Sequence, residues 1–240
     1  MLVAAAVCPC PPLLVPEVAV GAAAELDGLR AACYDALAVL AAARPGRLVV
    51  AGPAREPAAG PFPAGSRGTF HGYGVDLEVT LGTAGAAGPA GPGGDLPPSL
   101  TVGAWLLERT AWQAAPVLAV AVGEDWEPAR CAAAGRELAA GEERLALLVL
   151  GDGSACRTPA APGAFDERAA EFDTAAARAL GAADTAALAA LDPALAAELH
   201  AAGRPAWQLL AGAAEGGGLA GRLLHDSAPY GVGYIVATWA

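Results

Sequence analysis

The sequence predicts an α/β fold, a three-layer sandwich in which helices cover both faces of a largely parallel central sheet. Two short apolar runs, residues 2–7 and 145–150, stop at Pro or Gly and are typical of buried strands. Between such runs lie segments whose apolar residues are spaced by three and four, which is typical of amphipathic helices. Because strands alternate with helices, right-handed crossovers and parallel strands are expected.

The first half of the chain provides three strands and two helices. The predicted strands are 2–7, 48–51 and 73–81, the last of which alternates Val and Leu with polar residues and is expected at a sheet edge. The predicted helices are 21–43, which ends before Pro45-Gly46, and 99–112. Residues 82–98 are rich in Gly, Ala and Pro and are expected to form a mobile surface loop.

The second half continues the alternation. A strand at 117–122, a helix at 128–140 with Pro at its first turn, and a strand at 145–150 come in order. Several Ala-rich helices follow over 166–213, with Asp184 and Asp192 as N-cap residues, before a final strand at 230–238. No internal repeat is visible, so we predict one domain over residues 1–240.

Charge and cysteine content narrow the classes of function. The net charge of −11 disfavours binding to nucleic acid or to an anionic membrane surface, since both require clustered cations. The apolar start is interrupted by Pro and has no basic region, so we do not interpret it as a targeting segment. Five cysteines, an odd number, are typical of reduced thiols, and a cytoplasmic location is expected.

Ligands of such sheets bind beyond the carboxyl ends of the strands. Four loops are therefore candidates for a site: 8–12, 52–54, 151–157 and 215–218. Within the third loop, Asp152, Ser154, Ala155 and Arg157 are pocket candidates, and Arg157 with Arg55 is suited to binding a carboxylate. The alternative is that Asp152 and Ser154 cap a turn and both arginines are solvated.

The same four loops resemble segments of the class III extradiol ring-cleavage dioxygenases, catalytic (beta) subunit type. Residues 10–17, Cys-Pro-Pro-Leu-Leu-Val-Pro-Glu, resemble the family's His-Pro-Pro-Leu-Leu segment, and Gly-Pro-Ala at 52–54 resembles its Ser-Pro-His turn. Gly-Asp-Gly-Ser-Ala at 151–155 is similar to its Gly-Asp-Leu-Ser-His segment, and Ala-Glu-Gly at 214–216 to its Gly-Glu-Cys-Gly turn. The likeness continues at 164–173 and 229–234 and keeps the family's order.

The resemblance implies an oxidoreductase that acts on a small aromatic compound with a non-haem Fe(II). The family holds the iron with two His and one Glu and uses a further His as acid/base, which leaves coordination positions open for catecholate and oxygen. The ligand positions correspond to Cys10, Ala54 and Glu215, and the acid/base position corresponds to Ala155. Three of the four positions are therefore substituted, and Fe(II) at stoichiometric occupancy is not expected.

Several alternatives stay open from the sequence. The chain is either an enzyme with a rebuilt metal site or a non-catalytic descendant that binds a small aromatic or polar ligand or a protein partner, and a homo-oligomer is compatible with both. Cys8 and Cys10, joined by Cys156, would suit Zn or Cu(I), although buried cysteines are often small hydrophobes. His200 and His225 have a plain structural interpretation at a helix end and before a strand, while His71 is either a surface-loop residue or a stand-in that reaches the second loop.

Two geometric expectations follow. Cys10, Ala54, Ala155 and Glu215 should meet at one pocket at one edge of the sheet. Without a metal, Glu215 should pair with Arg55 or Arg157, or else point to solvent.

Overall fold

The structure, a computed structural model, describes residues 1–55, 57–82 and 94–240. In this part of the chain seven strands form one central sheet and two form a separate antiparallel hairpin. The strands of the central sheet are β1 (Leu2–Cys8), β2 (Arg47–Ala54), β3 (Gly60–Phe62), β6 (Val117–Gly123), β7 (Leu145–Leu150), β8 (Gly221–Ser227) and β9 (Tyr234–Trp239). The hairpin strands are β4 (Arg67–Thr69) and β5 (Glu78–Thr80).

The central sheet is mostly parallel, as the sequence predicts. Its strand order is β3-β6-β2-β7-β1-β9-β8, and the four inner strands β6, β2, β7 and β1 run parallel to one another. The outer strands β3, β9 and β8 are antiparallel to their neighbours. The carboxyl ends of β6, β2, β7 and β1 therefore share one edge of the sheet with the beginning of β9.

Helices cover both faces of this sheet. They are α1 (Pro16–Ala19), α2 (Asp27–Ala42), α3 (Pro98–Arg109), α4 (Pro128–Ala139), α5 (Arg168–Ala182), α6 (Thr185–Ala189), α7 (Pro193–Glu198) and α8 (Arg204–Ala213). Helices α2 and α3 pack on one face, while α5 and α8 pack on the other and α4 packs against α8. None of the described helices is long and apolar enough to cross a membrane.

Two apolar cores result from the two-residue period of the strands. In β1, Ala4 and Ala6 belong to the core under α2 and α3, while Ala5 and Val7 belong to the core under α5 and α8. Small side chains on the strands allow the helices to approach the sheet closely.

Two segments differ from the predicted secondary structure, and one prediction stays untested. The predicted strand at 73–81 shrinks to β5, because a 3₁₀ turn over His71–Tyr73 ends at Gly74 with a left-handed φ of 80°. Strand β8 was missed because the exposed segment does not alternate apolar with polar residues. The predicted loop over 82–98 lies largely outside the described residues.

Candidate functional site at the carboxyl edge

Cys10 and Asp152 meet at the carboxyl edge because the strands that precede them are parallel neighbours. Cys8 at the end of β1 pairs with Leu150 at the end of β7. Two residues further along each chain segment, the N–H of Cys10 donates to Asp152 Oδ1 at 2.7 Å. The bond joins two of the four loops that the sequence singled out.

The carboxyl group of Asp152 is partly buried and makes no ion pair with a described residue. Burial raises its pKa to about 7, although the hydrogen bond from Cys10 N–H acts in the opposite direction. Near neutral pH the group is therefore present both as acid and as carboxylate. Perturbed carboxyl groups of this kind are concentrated at functional sites.

Two phenols complete what we call the edge cluster, defined as Cys10, Tyr73, Asp152 and Tyr234. Tyr234 opens β9 and is buried, and burial followed by the charge of Asp152 raises its phenol pKa. Tyr73 lies on the 3₁₀ turn, where burial followed by the nearby Cys10 thiol raises its phenol pKa. With their pKa values raised, both phenols stay protonated at neutral pH, and a protonated phenol can donate a hydrogen bond.

Ser154 and Arg157 bind the buried Asp173 of α5. Asp173 accepts from the N–H of Ser154 at 2.7 Å, from its hydroxyl at 2.8 Å, and from Arg157 Nη1 at 3.0 Å. Burial is the largest influence on Asp173 and raises its carboxyl pKa, against these three donors. The network fixes the loop that carries Asp152, and we assign Ser154 and Arg157 a positioning role.

Ala54 and Ala155 offer no side-chain donor atom to a ligand or metal. The carbonyl of Ala54, at the end of β2, accepts from Glu124 N–H at 3.0 Å. The N–H of Ala155 donates to the carbonyl of Leu199 at 2.9 Å, so its backbone joins the loop to the α7 end.

Glu215 does not lie beside Cys10 at the carboxyl edge. The expectation that these two residues would meet at one pocket was wrong. Helix α8 begins beside Asp152, whose carbonyl accepts from Gly203 N–H at 2.8 Å, and Glu215 lies just beyond the other end of that helix. Ten helical residues span about 15 Å. There Glu215 is exposed and pairs with Arg136 in the last turn of α4 at 3.3 Å, not with Arg55 or Arg157.

The described residues do not fit Fe(II). Of the positions that the resemblance points to, Ala54 and Ala155 have no ligand atom, and Glu215 lies at the far end of α8. No group of three or more His, Cys, Asp or Glu side chains among residues 1–55, 57–82 and 94–240 could hold a metal ion.

The proposed cysteine site for Zn or Cu(I) is not assembled either. Cys8 and Cys10 belong to the core under α2, whereas Cys156 belongs to the core on the opposite face of the sheet. Cys8 lies next to Cys33, whose hydrogen bond is the largest influence that raises the Cys8 thiol pKa, and the Cys156 thiol donates to the Leu199 carbonyl at 3.5 Å.

Two of the histidines have local partners. His71 is exposed and lies 3.0 Å from Asp76, while His225 contacts Ser227 in the same strand at 2.7 Å. His200 follows α7 and adopts a left-handed φ of 53°.

Sequence reasoning missed Asp173, Tyr234 and Arg204 as residues of the site region. Asp173 and Tyr234 lie in segments that carry the family resemblance, and this resemblance could have indicated that they lie near the site. Arg204 lies within the predicted helical region 166–213, and the sequence gave no indication that its side chain is buried.

Comparison with known proteins supports the fold. The crystal structure of an uncharacterized protein from Escherichia coli K12 is similar over 99% of both chains, with a TM-score of 0.62 and 13% sequence identity. At this identity the likeness shows a shared fold alone. No protein-family model matches the chain, and neither does any curated protein sequence.

Proposed function

We propose that this protein is a metal-independent binding protein for small hydroxylated aromatic compounds, which it holds at the edge cluster. The observation that carries the proposal is the Asp152 carboxyl group, which lies at the carboxyl edge with one hydrogen-bond donor and a pKa raised to about 7. Such a group accepts a hydrogen bond from a ligand hydroxyl without the full desolvation of a permanently charged carboxylate.

The surroundings of Asp152 favour an aromatic ligand. Tyr73 contacts the buried ring of Phe70, with 6.4 Å between the ring centroids, and the Tyr234 ring is buried at the start of β9. Tyrosine presents both an apolar ring face and a polar hydroxyl, which suits a ligand that has a ring and a hydroxyl group. The family that the sequence resembles acts on hydroxylated aromatic rings, and the proposal retains that class of ligand.

In this proposal the protein binds the aromatic compound but does not cleave its ring. Cleavage in the resembled family depends on iron, and the donor atoms of the described residues do not fit that ion. Asp152, Tyr73 and Tyr234 supply hydrogen bonds and shape, and a proton transfer between ligand hydroxyl and Asp152 needs no metal.

The test is binding of catechol, measured by isothermal titration calorimetry at about pH 8 and about pH 5.5, either side of the Asp152 pKa. We expect saturable binding that weakens about tenfold at the lower pH and in Asp152→Asn, since both remove the charged acceptor. Asp226→Asn, an exposed carboxylate on β8, is the matched control and should bind as the wild type does. Equal catechol affinity for Asp152→Asn and wild type would refute the assignment, as would the absence of binding.

A further inference from the structure

A cavity opens at the same edge of the sheet, between the end of α7 and the start of α8. Its volume is about 240 Å³, and its polar lining comes from Arg55, Glu124, His200 and Arg204. Typical ligand pockets reach about 300–1,000 Å³, so this one suits a small molecule or a single functional group.

Arg204 is a buried cation with no anionic partner in the described part of the chain. Its side chain is only 3% exposed, and its donors go to neutral oxygens: the carbonyls of Trp126 and Glu124 and the amide of Gln208. Its Nε has no acceptor among the described residues. Since burial of an uncompensated charge is costly, an anion bound beside this guanidinium would be stabilised.

Other groups around the cavity add positive potential. Arg204 is also the first residue of the ten-residue helix α8, whose N-terminal dipole favours anions. Arg55 reaches the cavity from the end of β2, and His200 brings a ring nitrogen that can donate. Against them stands a single carboxylate, Glu124, whose Oε2 is 3.4 Å from Arg55 Nε.

We propose that this cavity binds an anionic group of a small molecule, a carboxylate or a phosphate, through Arg204 and Arg55. The chain has a net charge of −11, but this cavity is lined by two arginines and one carboxylate, so its local charge is positive. Arg204, held in place by its three neutral acceptors, provides the fixed part of the site. Arg55, which is largely exposed, provides the part that closes over the ligand. This site is separate from the edge cluster and does not depend on catechol binding there.

The experiment is isothermal titration calorimetry of the full chain with sodium phosphate and, separately, with sodium benzoate, at constant ionic strength and up to about 20 mM anion. Binding of phosphate alone would identify phosphorylated ligands, and binding of benzoate alone would identify carboxylic acids; each supports the site. We expect Arg55→Gln to weaken binding about threefold and Arg204→Lys about tenfold, because lysine lacks the planar fork. Arg222→Gln, an exposed arginine on the distant strand β8, is the matched control and should leave binding unchanged.

Two outcomes overturn the proposal: no heat from either anion, or wild-type affinity in both Arg55→Gln and Arg204→Lys. Circular dichroism reports whether Arg204→Lys folds. If it does not, Arg55→Gln against Arg222→Gln decides, since both residues are exposed. Because catechol carries no charge at neutral pH, its binding at Asp152 can succeed or fail independently of these results.

Discussion

The main-chain N–H of Cys10 donates to Asp152 Oδ1 at 2.7 Å, and this bond ties together the loops that follow the parallel neighbours β1 and β7. It gives the carboxyl group a fixed position at the sheet edge while leaving its second oxygen free of any described partner. A single backbone donor does not offset burial, so the pKa stays raised. The relationship makes the protein's stability depend on pH.

Asp152→Asn should stabilise the protein more at alkaline pH than at acid pH. The folded-state pKa of Asp152, about 7, lies above the unfolded value of about 3.9. The folded protein therefore binds the extra proton between these values, and this group lowers the free energy of unfolding as the pH rises from about 4 to about 7, by up to about 1.4 kcal/mol per pH unit. Urea unfolding at about pH 5 and about pH 8 measures the effect, with Asp226→Asn as control. A pH-independent difference between Asp152→Asn and wild type would contradict it.

Asp173→Ala should be among the most destabilising single changes in the chain. The change leaves the hydroxyl and N–H of Ser154 and the guanidinium of Arg157 without their acceptor, although these groups are buried or partly buried. We expect the free energy of unfolding to fall by about 3–5 kcal/mol. Ser154→Ala removes one donor and keeps the ion pair, so its cost should be about 1 kcal/mol. Similar values for the two variants in urea unfolding would show that the network is not held by Asp173.

Alanine substitutions of two helical glycines should have opposite effects on stability, because one glycine is in close contact and the other is not. A Cβ at Gly135 in α4 would overlap the carbonyl oxygen of Leu209 in α8, so Gly135→Ala should force the helices apart and cost about 3 kcal/mol or more. A Cβ at Gly28 in α2 meets nothing within 4 Å, and Gly28→Ala should be neutral or stabilise by up to about 1 kcal/mol. Thermal unfolding of both variants checks the sign, and a neutral Gly135→Ala would mean that the helices do not cross so closely.

Iron should not bind stoichiometrically, and Glu215→Gln should not change the iron content. After anaerobic incubation with Fe(II) and desalting, we expect well below one equivalent of iron, because the donor atoms are not assembled. Glu215→Gln removes an exposed pair with Arg136 and should change the free energy of unfolding by under about 1 kcal/mol. Near-unit iron that disappears in Glu215→Gln would reverse our assignment of the site.

The sequence alone predicts those helices and strands whose signals lie within a few neighbouring residues. The uninterrupted apolar run at 145–150 coincides with β7, and the side chains of Asp184 and Asp192 accept from the N–H groups of α6 and α7, as N-cap residues should. The position of Asp152 at the carboxyl edge also followed, since it depends only on where a strand ends.

Relationships between distant segments were not predictable in the same way. Asp173 reaches Ser154 only because α5 crosses back over the sheet, and no spacing along the chain announces that contact. Glu215 was placed by its likeness to a motif, but the direction of α8 decides at which end of the helix it lies. Arg204 was not singled out, because its burial depends on carbonyl acceptors that lie about 80 residues away in the chain.

The pairing of Ala5 with Trp239 brings together residues near opposite ends of the 240-residue sequence. Among the described strands, β8 pairs with β9 alone, so the contact between β9 and β1 joins both strands to the parallel part of the sheet. Closure of so long a loop is slow, and folds rich in such contacts form over milliseconds to seconds. Before β9 pairs with it, β1 has unpaired backbone groups on one side that other chains could bind, and we expect refolding yield to fall as protein concentration rises.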